Sequence, residues 1–291
     1  MIIVTGGAGF IGSVMVGYLN SVGRDDVIIV DDMPNPNQFH NLKGKAYTLA
    51  STSETEMLMN MQPGKIQAVI HMGAISDTLE KDWPKLYKQN VLSTRQWANF
   101  CAEYRIPFIF ASSASVHGNG DGPLNQYAFS KHVSEMELSD IAACVRFFNV
   151  YGPNEYHKGR MASTIMHWFN QSKDGTMQVF ENSDQYFRDF VYVEDICKAC
   201  FWLVWNYKPG IYELGKGQSV SFESVAQQVK TATGAEIKYI PMPDDLKQQY
   251  QTDTKADLTA LVTIGFDVNM MRSAEDGIQD YIRYLNTHKY Y

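Results

Sequence analysis

Short apolar runs alternate with longer amphipathic stretches through the first 150 residues. MIIVT, DVIIVD, IQAVIHM, FIFASS and ACVRFFNV are nearly continuous in β-branched and aliphatic residues. Such runs are the mark of strands covered on both faces. Between them lie segments with helical spacing, notably Trp83–Tyr104. Strand and helix in alternation predict an α/β fold of Rossmann type, a doubly wound parallel sheet with helices on both sides. After Val150 the pattern becomes irregular. A helix is expected at Met161–Gln171, and FRDFVYVEDICKACFWLVWN reads as a strand running into a helix that returns to the first region. The division expected is therefore 1–150 with 187–206 returning to it, and a smaller mixed α/β domain from 151–186 and 207–291.

The 291 residues carry a net charge of −7, with 45% apolar and 20% charged residues. This fits a globular protein with a sizeable core and excludes a broad nucleic-acid surface. No apolar run approaches a membrane span. MIIVT starts directly as a strand, without a charged leader, so the cytoplasm is the compartment expected. Among the four cysteines, Cys197 and Cys200 form a CxxC inside a helical run, without a second ligand pair at zinc spacing. All four, Cys101 and Cys144 included, read as buried apolar filler.

Chemistry enters first at TGGAGFIGS, which follows the first strand and opens a helix. Gly6 permits a tight turn, Gly9 lets a diphosphate approach backbone N–H groups, and Gly12 lets helix and strand pack closely. The helix N-terminus favours the phosphate charge. Asp31 ends the second strand, where an acid accepts hydrogen bonds from ribose hydroxyls and repels a 2′-phosphate. Residues 1–150 thus read as a dinucleotide-binding domain. The loop after Asp31 has Asp32 and no cation before Lys43 and Lys45, which leans towards NAD over NADP.

Tyr127 and Lys131 in YAFSK stand at i and i+4 on one helix face. A neighbouring ammonium is expected to lower the tyrosine pKa and make it a usable base. Ser112, Ser113 and Ser115 lie at the end of strand five, on the carboxyl edge where open α/β sheets bind ligands. A hydroxyl there can hydrogen-bond the reacting oxygen and share its proton with Tyr127.

In these motifs the chain resembles the extended sugar-nucleotide branch of the short-chain dehydrogenase/reductase superfamily. TGGAGFIG, HMGA, SSAS, YAFSK and NVYGP occur in the order of that superfamily. Ser113-Ala114-Ser115 lacks the acid and base of the 4,6-dehydratases. A closer similarity, to the ADP-L-glycero-D-manno-heptose 6-epimerase family, covers nearly the whole chain. HKGRMAS, FRDFVYVEDI and PDDLKQQYQTDTKADL carry it. The resemblance implies a tightly bound NAD or NADP in each subunit, with NADP usual in the family, and a homo-oligomer. For the cofactor it implies contacts at Phe10 and Ile11 beside the glycines. It adds Gly73, Ala74, Ile75, Ser76, Asp77, Asn90, Lys131 and Val150. For an ADP-sugar it implies contacts at Ser113, Asn149, His167, Phe180, Glu181, Asn182, Ser183, Arg188 and Tyr250. Arg188 suits a diphosphate and Asn149 a sugar hydroxyl.

The implied reaction oxidises carbon 6 transiently and reduces it from the other face. One tyrosine does not readily serve both proton geometries, so Lys158 is expected to act as the second acid or base. Burial or its neighbour Arg160 would lower its pKa. Read without the resemblance, Lys158 is a solvated loop lysine. The chain departs from the family at Asp32 and Gln38. Arg160 stands where a small residue is common, which puts an extra cation at the sugar pocket. His117 replaces a tyrosine, and a short segment after Ser115 opens the pocket mouth. No histidine pair has metal spacing, and no metal is expected. The alternatives are a sugar-nucleotide 4-epimerase or reductase of the same branch, and a non-catalytic dinucleotide sensor.

Overall fold

Runs that are apolar at every position form strands in the interior of a sheet, because both faces must be covered. The computed structural model describes residues 1–61, 63–243, 251–287 and 290–291. Its main sheet uses β1 (Ile2–Thr5), β2 (Val27–Val30), β3 (Thr48–Ala50), β4 (Ala68–His71), β5 (Phe108–Ser113) and β6 (Ala143–Phe147). Four short strands follow before the sheet resumes: β7 (Asn149–Tyr151), β8 (Thr176–Phe180), β9 (Phe187–Arg188) and β10 (Phe190–Tyr192). The seventh strand of the main sheet is β11 (Gly210–Leu214), and the order is β11-β6-β5-β4-β1-β2-β3. All pairings in it are parallel. Two of these strands differ from the sequence reading. β3 is short and half exposed, so its apolar pattern is weak. Gly210–Leu214, expected in the second region, adds to the sheet edge beside β6.

Alternate side chains feed separate cores. Ile2, Val4, Ile70, Ile109 and Val145 pack with the helices Phe10–Ser21 and Val193–Trp205. Ile3, Val69, Phe108, Phe110 and Cys144 pack on the other face with Trp97, Phe100 and Cys101 of Ser93–Tyr104. This two-residue period across one sheet is the reason the runs show no polar face. Cys197 and Cys200 lie in the first of these cores, and burial raises both thiols, so they are filler. Trp83–Tyr104 is helical throughout but widens into a π-turn at Tyr87–Leu92, which buries Asn90. Among the described residues no helix is long and apolar enough to cross a membrane.

A second core of aromatic and aliphatic residues, including Tyr151, Trp168, Phe169, Phe190 and Tyr281, sits among the helices Thr164–Ser172, Phe222–Thr233 and Ala274–Thr287. Three small sheets edge it. β10 pairs with β7, and β8 pairs with β13 (Glu236–Ile240). β9 lies between β12 (Val220–Ser221) and β14 (Asp253–Thr254).

One carboxylate joins these pieces. Asp189, between β9 and β10, is fully buried. It accepts hydrogen bonds from the backbone N–H groups of Lys216 at 2.7 Å, Gly217 at 2.8 Å and Ala256 at 3.1 Å. Truncation leaves three backbone donors, one of them buried, unpaired at once. Asp189→Ala is therefore expected to lower the unfolding free energy by about 3 kcal/mol. The readout is the urea midpoint at unchanged slope; a loss below about 1 kcal/mol would show that the strands hold without this carboxylate.

Candidate active site

The strand order reverses between β1 and β4, and the candidate site forms at their carboxyl ends. Thr5 and His71 are register partners there. Gly6 has φ +65°, and a Cβ on it would lie 2.7 Å from Gly73 Cα. A Cβ on Gly12 would lie 2.2 Å from the Gly6 carbonyl oxygen. Side chains are excluded at both places by backbone. Gly9 caps the helix Phe10–Ser21 without any side-chain cap, which leaves the first-turn N–H groups to an incoming anion. Phe10 is buried and Ile11 partly so.

Behind the turn runs a buried relay with a consistent direction. The Gly73 N–H donates to Thr5 Oγ1 at 3.1 Å; with the His71 ring proton on Nε2, as Thr94 requires, the Thr5 hydroxyl donates to His71 Nδ1 at 2.8 Å. His71 Nε2–H then meets Thr94 Oγ1 at 3.0 Å, and Thr94 donates to the Asn90 carbonyl at 2.6 Å. His71 is held neutral, with its pKa pushed down to about 3 by burial and by the charge of Lys131. The Asn90 amide in turn accepts from Ile75 N at 2.8 Å, donates to Ile75 O at 3.0 Å and donates to Ser130 Oγ at 3.0 Å. Ser130 donates to the Tyr127 carbonyl at 2.7 Å. The loop Gly73–Ser76 and the tyrosine helix are thus one assembly. From sequence His71 reads as a structural or ligand-contacting histidine, and nothing in the local pattern points to Thr94.

At the outer end, Asp31 accepts from Ala8 N at 2.9 Å and Met33 N at 2.7 Å, and burial raises its pKa against those bonds. Its remaining lone pairs stay available to a ribose. Asp32 faces elsewhere. It accepts from Ser51 Oγ and Thr52 N at 2.9 Å and from the Thr52 hydroxyl. Burial pushes its pKa up, but these bonds outweigh it and the net shift is down. These bonds clamp the loop after β3. Lys45 donates to the Tyr291 carbonyl, and burial lowers its pKa to about 8. Lys43 lies 6.0 Å from the centre of the Phe39 ring.

At strand five, Ser113 accepts from Ser115 N at 3.2 Å and Ser115 Oγ at 2.8 Å. Its own proton is therefore directed to Tyr127, with which it is hydrogen-bonded. Burial raises the Tyr127 pKa, and the Ser113 bond lowers it in part. The expected lowering by Lys131 is not found. Lys131 is 3% exposed and turns inward, donating to the Ala111 carbonyl at 2.7 Å and lying 4.8 Å over the Phe110 ring. Burial lowers its own pKa to about 7, opposed by the charges of Glu135 and Cys144. Ser112 is structural: it donates at 2.6 Å to buried Glu135, which also pairs with Arg146 at 2.7 Å. His117 pairs with Glu213 at 2.6 Å, and Gln251 donates to the Gly118 carbonyl, so the mouth beyond Ser115 is tied to the second region.

The loop of Lys158 folds back onto the glycine turn. Its Nζ lies 5.4 Å over the ring of Phe10, the first residue of the glycine-turn helix. Burial lowers the Lys158 pKa, and only the charge of Glu155 opposes it. Arg160 is not the cause. It is 63% exposed and bridges to Asp77 at 2.7 Å, which corrects its expected influence on Lys158. Glu155, buried and raised by burial, accepts from Ser163 Oγ at 2.7 Å, while Ser163 caps the helix Thr164–Ser172. His167 of that helix lies 3.3 Å from the Arg160 carbonyl.

The remaining candidates spread along the second region. Asn149 on β7 is exposed, with its amide 3.4 Å from the Asp189 carbonyl. Val150 beside it is partly buried against the sheet core. Arg188 is 8% exposed, donates to its neighbour's carbonyl at 2.7 Å and lies 5.5 Å over the Phe222 ring. Glu194 pairs with Arg272 at 2.8 Å and Lys198 at 3.5 Å. Phe180, Glu181, Asn182 and Ser183 form the turn after β8, with Asn182 at φ +59° and Ser183 donating to Glu223 at 2.6 Å. Tyr250 lies outside the described residues. Among the described residues no group of three His, Cys, Asp or Glu side chains could hold a metal.

Residues 2–215 match the family model for the NAD dependent epimerase/dehydratase family. The chain is 38% identical to the ADP-L-glycero-D-manno-heptose-6-epimerase of Brachyspira hyodysenteriae, with 98% of each chain covered. Among solved structures, it superposes on the Helicobacter pylori ADP-L-glycero-D-manno-heptose-6-epimerase with a TM-score of 0.85 at 24% identity, covering 98% of this chain and 96% of that one. It superposes on the UDP-glucose 4-epimerase of Thermotoga maritima with a TM-score of 0.84 at 24% identity, covering 98% of each. At that identity the two structures speak for the fold alone.

The inward turn of Lys131 has a thermodynamic consequence. Its folded pKa, about 7, lies below the free value of 10.5, so the unfolded chain binds more protons between those values. Burial of the amine costs most below pH 7, and stability recovers as pH rises from 7 to 10.5. In protein stripped of cofactor, Lys131→Met is expected to be more stable than the parent at pH 6, by about 2–4 kcal/mol. That advantage shrinks steadily towards pH 10. Denaturant curves at several pH values check this, and a pH-independent difference would refute the buried, neutralised amine.

Proposed function

Because the chain belongs to the NAD dependent epimerase/dehydratase family, we propose that it inverts carbon 6 of an ADP-glycero-manno-heptose. The observation that carries the proposal is the seat of Lys158 on Phe10, which sets a second titratable group beside the glycine turn of a chain that also holds the Ser113–Tyr127 pair. The 38% identity to a heptose 6-epimerase over 98% of the chain supports this choice of sugar.

The residues present fit a nicotinamide cofactor. Gly6 and Gly12 leave a cradle that a Cβ would fill, and the uncapped helix start at Gly9 receives the diphosphate. Phe10 and Ile11 complete that turn, and Asp31 takes the adenosine ribose. Gly73, Ala74, Ile75, Ser76 and Asn90 would line the next stretch, and Lys131 and Val150 would hold the nicotinamide end. When bound, the cofactor supplies the acceptor for one hydride and then returns it, so net redox change is zero.

The chain's own side chains move the protons. Tyr127 accepts the carbon 6 hydroxyl proton, and the Ser113 hydroxyl stabilises the phenolate that would otherwise be disfavoured by burial. Lys131, which donates to the Ala111 carbonyl, would hold the nicotinamide ribose. Carbon 6 becomes a transient carbonyl and presents its other face. Lys158, with a pKa lowered by burial, gives the proton needed on that side. Arg188 takes the diphosphate of the sugar nucleotide, and Asn149, His167 and the turn Phe180–Ser183 take the remaining polar groups. Residues around the second core thus serve as the substrate domain, opposite the dinucleotide domain built on the main sheet.

Incubation with the ADP-heptose should give the carbon 6 epimer. Tyr127→Phe and Lys158→Met should each lower epimerisation by about a hundredfold or more while the protein stays folded and binds cofactor. Given an analogue with an aldehyde at carbon 6, each variant should retain part of the dismutation, because one acid or base remains for one face. Parental epimerisation by Lys158→Met would reduce that residue to a loop lysine. Turnover of UDP-sugars alone would move the protein to the 4-epimerases.

Cofactor choice follows from the outer end of the site. Asp31, bonded to Ala8 N of the glycine turn, would take the ribose hydroxyls, and Lys45 is engaged with Tyr291 rather than available to a 2′-phosphate. NAD is therefore expected to bind the stripped protein at least about tenfold more tightly than NADP. Paired titrations decide it, and tighter NADP binding would mean that Lys43 or Lys45 swings to the phosphate.

A further inference from the structure

We infer that Asn41 and His157 are positioning residues that hold Lys158 at a fixed place over the glycine turn. The inference rests on the acid/base reading of Lys158. Asn41 is 1% exposed and lies in the short turn Gln38–Leu42, far from the lysine in sequence. Its Nδ2 donates both to the Ala8 carbonyl at 3.0 Å and to His157 Nδ1 at 3.1 Å. Because the Ala8 oxygen can only accept, the amide nitrogen must face it. His157 Nδ1 must then be the acceptor, which places the ring proton on Nε2.

A closed ring results. Ala8 and Phe10 belong to one turn, His157 and Lys158 are bonded neighbours, Asn41 bridges Ala8 to His157, and Lys158 covers Phe10. Two further contacts brace it. Asn35 Nδ2 donates to the His157 carbonyl at 2.9 Å. The His157 ring also hydrogen-bonds the backbone of Asn154, whose amide donates to Ser13 Oγ at 3.0 Å on the glycine-turn helix. The lysine loop is thus registered against the turn proposed to bind the diphosphate, not only against the second region.

Asn41 also carries a cost. Its Oδ1 is buried and meets no donor among the described residues. A buried amide with an unpaired end works against stability. Such a residue suits placement of a neighbour better than support of the core.

The test compares the parent with Asn41→Ala, His157→Ala, His157→Asn, Lys158→Met and the double variant Asn41→Ala/Lys158→Met. Melting temperature and NAD binding are measured for each, so that misfolded protein is recognised. Asn41→Ala and His157→Ala should lower kcat by about ten- to a hundredfold with KM within about threefold. His157→Asn, whose Oδ1 can accept the same hydrogen bond, should recover most of that loss. In the carbon 6 aldehyde reaction that Lys158→Met retains, adding Asn41→Ala should cause no further loss, because the two act through one group. Parental kcat in Asn41→Ala beside an inactive Lys158→Met would overturn this inference alone. A further tenfold loss in the double variant would do the same. Parental turnover by Lys158→Met would instead remove the acid/base reading itself.

Discussion

Polar groups at the carboxyl edge of the sheet have been taken out of water, and each must therefore find a partner within the protein. That constraint organises the candidate site. His71 can be buried only because Thr5 and Thr94 satisfy both ring nitrogens. Asn90 can be buried only because Ile75 and Ser130 use its amide. Satisfying these groups forces the loop after β4, the π-turn and the tyrosine helix into one arrangement. The same desolvation sets the charges, lowering the Lys131 and Lys158 pKa values and raising that of Tyr127. An amine brought to about 7, as Lys131 is, can hold or release a proton at physiological pH.

The second region is attached by the same logic with different groups. Buried Asp189 gathers three backbone donors, and Asn149 reaches the Asp189 carbonyl from β7. β7 leaves the end of β6 and pairs with β10, which feeds directly into the helix Val193–Trp205 against the main sheet. The chain thus crosses between its cores through backbone pairing rather than through an open linker. Asn149 lies on β7, and Arg188 lies on β9 immediately before Asp189.

Much of this was legible from sequence. Continuous apolar runs determined a parallel sheet, since only burial on both faces tolerates such runs. Glycine at 6 and 12 determined the turn, because backbone approach there leaves no room for a Cβ. YAFSK and SSAS identified the tyrosine, lysine and serine that meet at strand five. Tertiary structure alone decided which charges feel one another. Spacing of four residues put Lys131 beside Tyr127, but a carbonyl on β5 captured its ammonium. Adjacency put Arg160 beside Lys158, but Asp77, from a distant loop, captured its guanidinium. Asn41 and His157 are 116 residues apart and carry no local pattern. Local periodicity reports which side of an element is buried. Partners from other elements, and the depth of burial they create, fix where a flexible charged side chain points and which protonation state it holds.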